Sequence, residues 1–325
     1  MGQWSGYGDD VGTPLPPLQI WNGVYPEPAF DVSSANAKFD LRRQSLYATA
    51  RWNLTDDLKL ITGASDTHIR STGVNYGTPN DFDATRVTPF AGLVYDFAKD
   101  YSAYLSYAGI FNPQTETDAD NKVLSPITGN NLEAGIKGAW SADQLNASLA
   151  VFRSKQENFA EYAGFNLATG QSYYVGTNAT ATGYEIDVAG ALTRNWQLSA
   201  GYTQLRIEGD DSEPVRTYVP RRTLRISTSY DVPAVSGLRI GADVSWQSAI
   251  YRDQDAVDTS GNEIYTRQKS YALLGAMAHY RFNRAWDATF NAYNLTDRKY
   301  IASLYWAQGF YGPPANYQLN VTYHF

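Results

Sequence analysis

His68, His279 and His324 are the only imidazoles among 325 residues, and there is no cysteine. Thiol catalysis, disulfide frameworks and cysteine-type zinc sites are therefore excluded. Asp66 and His68 alternate onto one face of a strand, where a carboxylate beside an imidazole could activate water in a barrel hydrolase. A polar strand face accounts for the same pair, and no Ser/His/Asp spacing, phosphate-binding glycine loop or cofactor motif accompanies it. Asp118-Ala-Asp120-Asn121 begins like a calcium loop but lacks glycine at the sixth position and glutamate at the twelfth. Asp253, Asp255 and Asp258 could hold a divalent ion weakly or touch cation-bridged lipopolysaccharide; a solvated loop face is the plainer reading. The expectation is no enzyme, no cofactor and no protein metal site.

The aromatic side chains are the unusual chemistry: 25 tyrosines, 13 phenylalanines and 8 tryptophans, in a chain only 18% charged. That excludes a disordered chain. A net charge of −7 argues against nucleic-acid binding, and no run of 18 apolar residues marks a membrane-crossing helix. The first residues show neither a basic nor an apolar leader segment. Five of the fourteen prolines fall in the first forty residues, so 1–41 reads as a Pro/Gly-rich loop segment and 42–325 as the structured part.

From residue 42 onward the hydrophobic period is two. Leu238, Ile240, Ala242, Val244 and Trp246 share one face, with Arg239, Gly241, Asp243, Ser245 and Gln247 on the other. Such alternation is a strand signal. It recurs at 42–53, 58–69, 86–97, 101–111, 131–140, 145–156, 181–193, 196–208, 222–230, 238–251, 268–282, 286–295 and 316–325. These thirteen strands run about 9–15 residues, against about 5–6 in soluble sheets. Ten residues tilted at about 45° rise about 23 Å, the height of an outer-membrane apolar band. The connections alternate short and long throughout, as periplasmic turns and extracellular loops do. Trp52, Phe97, Tyr101, Trp140, Trp196, Tyr230, Trp286 and Phe325 sit beside the short turns. Phe111, Trp246, Tyr251, Tyr271 and Tyr317 lie nearer the long loops. Two interfacial girdles follow. The fold class expected is all-β: an antiparallel transmembrane outer-membrane β-barrel segment.

Specific stretches carry a family resemblance. Asn291-Ala-Tyr-Asn-Leu-Thr-Asp-Arg-Lys-Tyr300, the Tyr311-Gly-Pro-Pro314 turn and the strand ending in Phe325 resemble the C-terminal signature of TonB-dependent receptors. Thr88-Pro-Phe-Ala-Gly-Leu-Val-Tyr95, Gly129-Asn-Asn-Leu-Glu-Ala-Gly-Ile-Lys137 and Leu145-Asn-Ala-Ser-Leu-Ala-Val-Phe152 add to it. So do Tyr107-Ala-Gly-Ile-Phe-Asn-Pro-Gln114 and Trp21-Asn-Gly-Val-Tyr-Pro-Glu-Pro28. Together they are similar to the ferric-siderophore branch, nearest the ferric-coprogen and ferric-pyoverdine receptors. Members have a 22-stranded barrel, an N-terminal plug and a TonB-coupling segment. This sequence shows neither plug nor coupling segment, so the expectation is a fragment equivalent to the last thirteen strands and not competent alone.

The resemblance implies an outer-membrane receptor taking up ferric siderophores, with iron arriving already chelated. Its partners would be the siderophore, outer-membrane lipid and lipopolysaccharide, the TonB complex and the barrel assembly machinery, with the C-terminus periplasmic. A passive porin-like channel is the alternative, disfavoured by long outer loops. A bulky, often acidic chelate suits aromatic faces and arginines in those loops: Trp21, Tyr25, Tyr173, Tyr174, Arg216, Tyr218, Tyr305, Trp306 and Tyr311. Tyr323 and Phe325 resemble the aromatic-ended assembly signal.

Overall fold

The structure is a computed structural model describing residues 37–75, 78–141, 144–167, 170–305 and 309–325. Among the described residues the regular elements are all strands: β1 (Ala37–Asn53), β2 (Leu58–Asn75), β3 (Thr78–Pro79), β4 (Phe82–Ala98), β5 (Tyr101–Asn112) and β6 (Ile127–Trp140). Then come β7 (Leu145–Asn166), β8 (Gln171–Thr193), β9 (Trp196–Glu208), β10 (Arg222–Asp231), β11 (Leu238–Gln247) and β12 (Ile250–Val257). The remainder are β13 (Glu263–Gln268), β14 (Tyr271–Arg281), β15 (Trp286–Tyr293), β16 (Ile301–Ser303), β17 (Phe310–Tyr311) and β18 (Asn316–Tyr323).

Thirteen of these form one meander, β1-β2-β4-β5-β6-β7-β8-β9-β10-β11-β14-β15-β18, antiparallel at every step. Each corresponds to one expected strand. Among the described residues β1 and β18 do not pair with each other, so the sheet is open.

The differences lie on the long-loop side. β1 starts at Ala37, so the loop-to-strand boundary falls before residue 42; residues 1–36 lie outside the described part. β7 and β8 continue to 22 and 23 residues, making the expected loop 157–180 mostly a paired hairpin with two bulges. The expected strand 238–251 ends at Gln247, and Ile250 opens the separate β12–β13 hairpin. Above a membrane, water satisfies backbone groups, so strand length there is set by local pairing rather than by lipid.

Register separates the faces. On β9–β10–β11, Ala200 opposes Ile226, which opposes Val244, while Gly201 opposes Arg225, which opposes Ser245. The opposite, polar face carries Lys59 paired to Asp96, and Tyr104 Oη donating to Glu133 Oε1 at 2.6 Å. Two glycines permit close strand crossings. A Cβ on Gly190 (φ +138°) would lie 1.9 Å from the Gln144 carbonyl, and one on Gly129 (φ +154°) 1.9 Å from that of Lys155.

The short-turn girdle is continuous where it is densest. Phe97 stacks on Tyr101 at 6.0 Å, Tyr101 meets Trp140 edge-on at 5.7 Å, and Trp286 lies 4.8 Å from Tyr323. Trp52 Nε1 and Trp196 Nε1 donate to Thr62 and Thr228 hydroxyls. Two residues expected in the upper girdle stand elsewhere: Tyr251 is on the separate β12–β13 hairpin, edge-on to Tyr265 at 5.9 Å, and the other is Tyr271. It is opposite Gln247 on the polar face and packs 4.6 Å from Tyr300, so it anchors a loop instead of meeting lipid.

Candidate functional site: an aromatic and arginine cage across the long loops

Five long-loop elements converge. The β7–β8 hairpin brings Phe159, Glu161 and Tyr162, the last edge-on to Tyr174 at 6.2 Å. The β5–β6 connection is tied to this hairpin by Gln114, whose amide donates to Ser125 O and Asn158 O and accepts from Ala160 N. Tyr174 N donates to Thr117 O at 2.8 Å.

The β9–β10 loop supplies Arg216 and Tyr218. Arg216 adopts a left-handed backbone (φ 52°), which turns its guanidinium over the Phe159 ring, 3.2 Å from the centroid. Thr217 fixes the loop to β12 by donating from Oγ1 to Tyr251 O at 2.8 Å and accepting from Tyr251 N. From β12, the Arg252 guanidinium sits 5.1 Å above the Tyr218 ring and donates to the carbonyls of Leu304 and Tyr305. Tyr305 closes the ring of contacts, edge-on to Tyr218 at 5.8 Å. Beside it Leu304 is only 1% exposed, which seats the β15–β18 connection.

The electrostatics are asymmetric. Burial pulls the Arg216 pKa down, while nearby Tyr218, Tyr305 and Glu161 partly oppose that. Burial pushes Tyr218 up, and it also raises Tyr174, with Glu116 adding to the rise. Arg216 Nε and Nη2 are buried without any hydrogen-bond partner in the described protein. A desolvated cation with free donors, walled by aromatic rings, is built to receive an anionic or π-rich group.

Of the residues expected from sequence, Tyr174, Arg216, Tyr218 and Tyr305 come together here. Trp21, Tyr25 and Trp306 lie outside the described residues. Tyr173 alternates away from Tyr174 and packs over Gly164. Tyr311 stands on β17, 79% exposed. Phe159, Tyr162, Gln114 and Arg252 join the cage without being among the residues expected from sequence; Phe159 and Tyr162 lie on β7 beyond the expected strand end at 156.

The expected Asp66–His68 dyad is not formed. Asp66 lies opposite Leu46 on the apolar-face side, and His68 pairs instead with Asp83 at 2.9 Å on the exposed rim. His279 and His324 both approach Asp287, at 3.9 and 2.6 Å. Among the described residues no group of three or more His, Asp or Glu side chains could hold a metal.

The comparisons with known proteins decide the family. The model of the TonB-dependent receptor-like β-barrel matches residues 2–295. The chain belongs to the TonB-dependent receptor β-barrel family. It is similar to the ferric-pyoverdine BN7/BN8 receptor of Pseudomonas putida, 34% identical over 99% of this chain and 39% of that protein. The ferripyoverdine receptor of Pseudomonas aeruginosa is also 34% identical, over 94% of this chain and 38% of its own length. The solved outer-membrane ferripyoverdine receptor of Pseudomonas aeruginosa, bound to ferripyoverdine, superposes with a TM-score of 0.78 at 32% identity. That match covers 94% of this chain and 41% of the receptor chain. The chain thus spans about two fifths of the length of these relatives. The family is one of receptors and transporters, not of enzymes.

Proposed function

We propose that this chain forms barrel wall and outer loops of an outer-membrane receptor for a ferric siderophore, with a pyoverdine-like chelate the first candidate. The observation that carries the reading is the cage of Arg216, Tyr218, Tyr305 and Phe159, assembled from three separate long connections. An aromatic chelate with anionic groups matches a desolvated guanidinium set among rings. The similarity to ferric-pyoverdine receptors supports the same ligand class. Trp21, Tyr25, Tyr174, Trp306 and Tyr311 are proposed to extend the contact, with iron entering as cargo inside its chelate; Tyr173, turned toward Gly164, is not. The C-terminus would face the periplasm, and TonB coupling and assembly by the barrel machinery would follow the family.

The test is binding of ferric pyoverdine, followed by radioactive iron carried in the chelate, to the full protein in outer membranes. Tyr218→Ala with Tyr305→Ala, and separately Trp306→Ala and Trp21→Ala, should weaken binding by about tenfold or more while leaving barrel insertion unchanged. Loop side chains of this kind carry ligand contacts more than folding energy. Unchanged affinity across all these variants would remove the site assignment.

A further inference from the structure

Two arginines with buried guanidinium nitrogens share the β9–β10 connection, Arg216 and Arg221, and the cage uses only the first. Arg221 ends the connection, one residue before β10, and its side chain reaches back into the loop. Its Nη2 donates to the Val215 carbonyl and, at 3.4 Å, to that of Ile207. Its own backbone is fixed on both sides. Arg221 N donates to Ser248 Oγ at 3.1 Å, and Arg221 O accepts from Leu205 N at 2.9 Å. The side chain is therefore anchored to β9 and to the end of β11, while the Val215 carbonyl it holds belongs to the loop.

Among the described residues no carboxylate pairs with the Arg221 guanidinium, and its Nη1 has no hydrogen-bond partner. Burial pulls its pKa down, with Tyr251 opposing. A desolvated cation left without an anion is costly, so the carbonyls it gathers, and not an ion pair, define its place in the loop.

Val215 immediately precedes Arg216. The peptide plane joining them carries both the Val215 oxygen and the Arg216 nitrogen, so holding that oxygen fixes one side of the φ rotation at Arg216. The other side is fixed by the Arg216 carbonyl, which accepts from Val219 N at 2.9 Å, and by Thr217, bonded to Tyr251. Between these two planes Arg216 stands at φ 52°, a left-handed backbone that a non-glycine residue keeps only where its surroundings over-determine it. That backbone aims the guanidinium at the Phe159 ring, and a return to negative φ would swing the side chain off it.

We propose that Arg221 is the positioning residue of the cage: by gripping the Val215 carbonyl it holds Arg216 in the left-handed backbone from which its guanidinium meets the ligand. Arg221 itself touches no ligand. The proposal rests on the siderophore reading of the cage above, and it adds that the cage is set before the chelate arrives, which spares the binding step the cost of ordering the loop.

The experiment is a double-variant cycle on the full protein in outer membranes, with ferric pyoverdine carrying radioactive iron as the probe. R221Q removes the charged fork and should weaken binding by about tenfold, the size of a coupling between residues in one network. R221K keeps one charged donor and should recover part of that loss. The deciding arm is the R216M background. Adding R221Q there should change affinity by less than about twofold, because Arg221 acts through Arg216. An equal loss in both backgrounds would make Arg221 a general support of the loop and overturn the proposal, and so would full affinity in R221Q. Heat-modifiable gel mobility reports insertion separately, and the same cycle is read with R221K should R221Q not insert. Failure of both variants to insert would make Arg221 a residue of barrel assembly and also overturn the proposal. Unchanged affinity in R216M alone would instead remove the cage reading, and this proposal with it, whatever R221Q does.

Discussion

Arg216 shows how one side chain can trade stability for recognition. Burial lowers its pKa because the charged form is penalised in a desolvated setting. A cation whose folded pKa lies below its unfolded value costs folding free energy wherever the unfolded chain holds the proton and the folded one must hold it unfavourably. That penalty persists through neutral pH, since a guanidinium stays protonated there. Its two unbonded nitrogens add to the cost. Arg216→Met keeps the packing on Phe159 and removes the buried charge, so its thermal midpoint should equal or exceed that of the parent protein. Ferric-siderophore affinity should fall about 10- to 100-fold, the value of a charge-assisted hydrogen bond of about 1.5–3 kcal/mol. Arg216→Lys should recover only part of it, lacking the fork. A calorimetric scan beside a binding titration separates the two effects. Loss of stability together with full affinity would make Arg216 a structural residue.

At the scale of elements, the strands were legible because lipid enforces a strict period of two on every residue from the short turns to the outer interface. Leu238 through Trp246 spells its own register without help from tertiary context, and so does Tyr317 through Tyr323. Legibility stops where lipid does. Phe159 and Tyr162 sit beyond Gln156, where a bulge breaks the alternation, and the hairpin there is held by the amide of Gln114 from another loop. No local pattern announces a partner 44 residues away. Tyr271 was misplaced for the converse reason: tyrosine suits both an interface and a loop anchor, and only its register against Gln247 decides. Two element-level predictions follow from the observed contacts. Gly190→Val places a branched Cβ against the Gln144 carbonyl at a backbone angle that disfavours it, and should cost on the order of 2–4 kcal/mol, read as a lowered folded fraction in urea titrations. Arg252→Met should release the 304–305 segment from β12 without touching the thirteen-strand ladder. Hydrogen exchange would then quicken in the β15–β18 connection and at Tyr251, with rates in β9 and β14 unchanged.

The whole molecule poses a problem of closure that its local order does not solve. Among the described residues direction reverses at each of the twelve steps between thirteen strands, so β1 and β18 run the same way and cannot pair antiparallel to close the sheet. Bacterial single-chain barrels use even strand numbers. Left open, each edge would present roughly five N–H and five C=O groups to hydrocarbon. At several kcal/mol per unsatisfied group the penalty reaches on the order of tens of kcal/mol, beyond the roughly 5–15 kcal/mol net stability of a folded domain. In water the apolar stripe, with Leu46 77% exposed, would drive aggregation instead. The terminal aromatic group, Tyr323 packed edge-on to Phe325 at 5.0 Å, fits the strand end that assembly would engage, so deleting Phe325 should lower insertion of the full protein. The larger expectation is that these 325 residues, expressed by themselves, do not transport. Reconstituted in liposomes, they should yield aggregates or protease-sensitive material and no energy-coupled ferric-siderophore uptake. Supplying further strands that pair the exposed edges of β1 and β18 should convert them to a protease-resistant, heat-modifiable form. A monomeric, protease-resistant species that takes up ferric siderophore from the 325 residues alone would show that the odd-numbered sheet closes after all, and that the edge penalty is relieved within this chain.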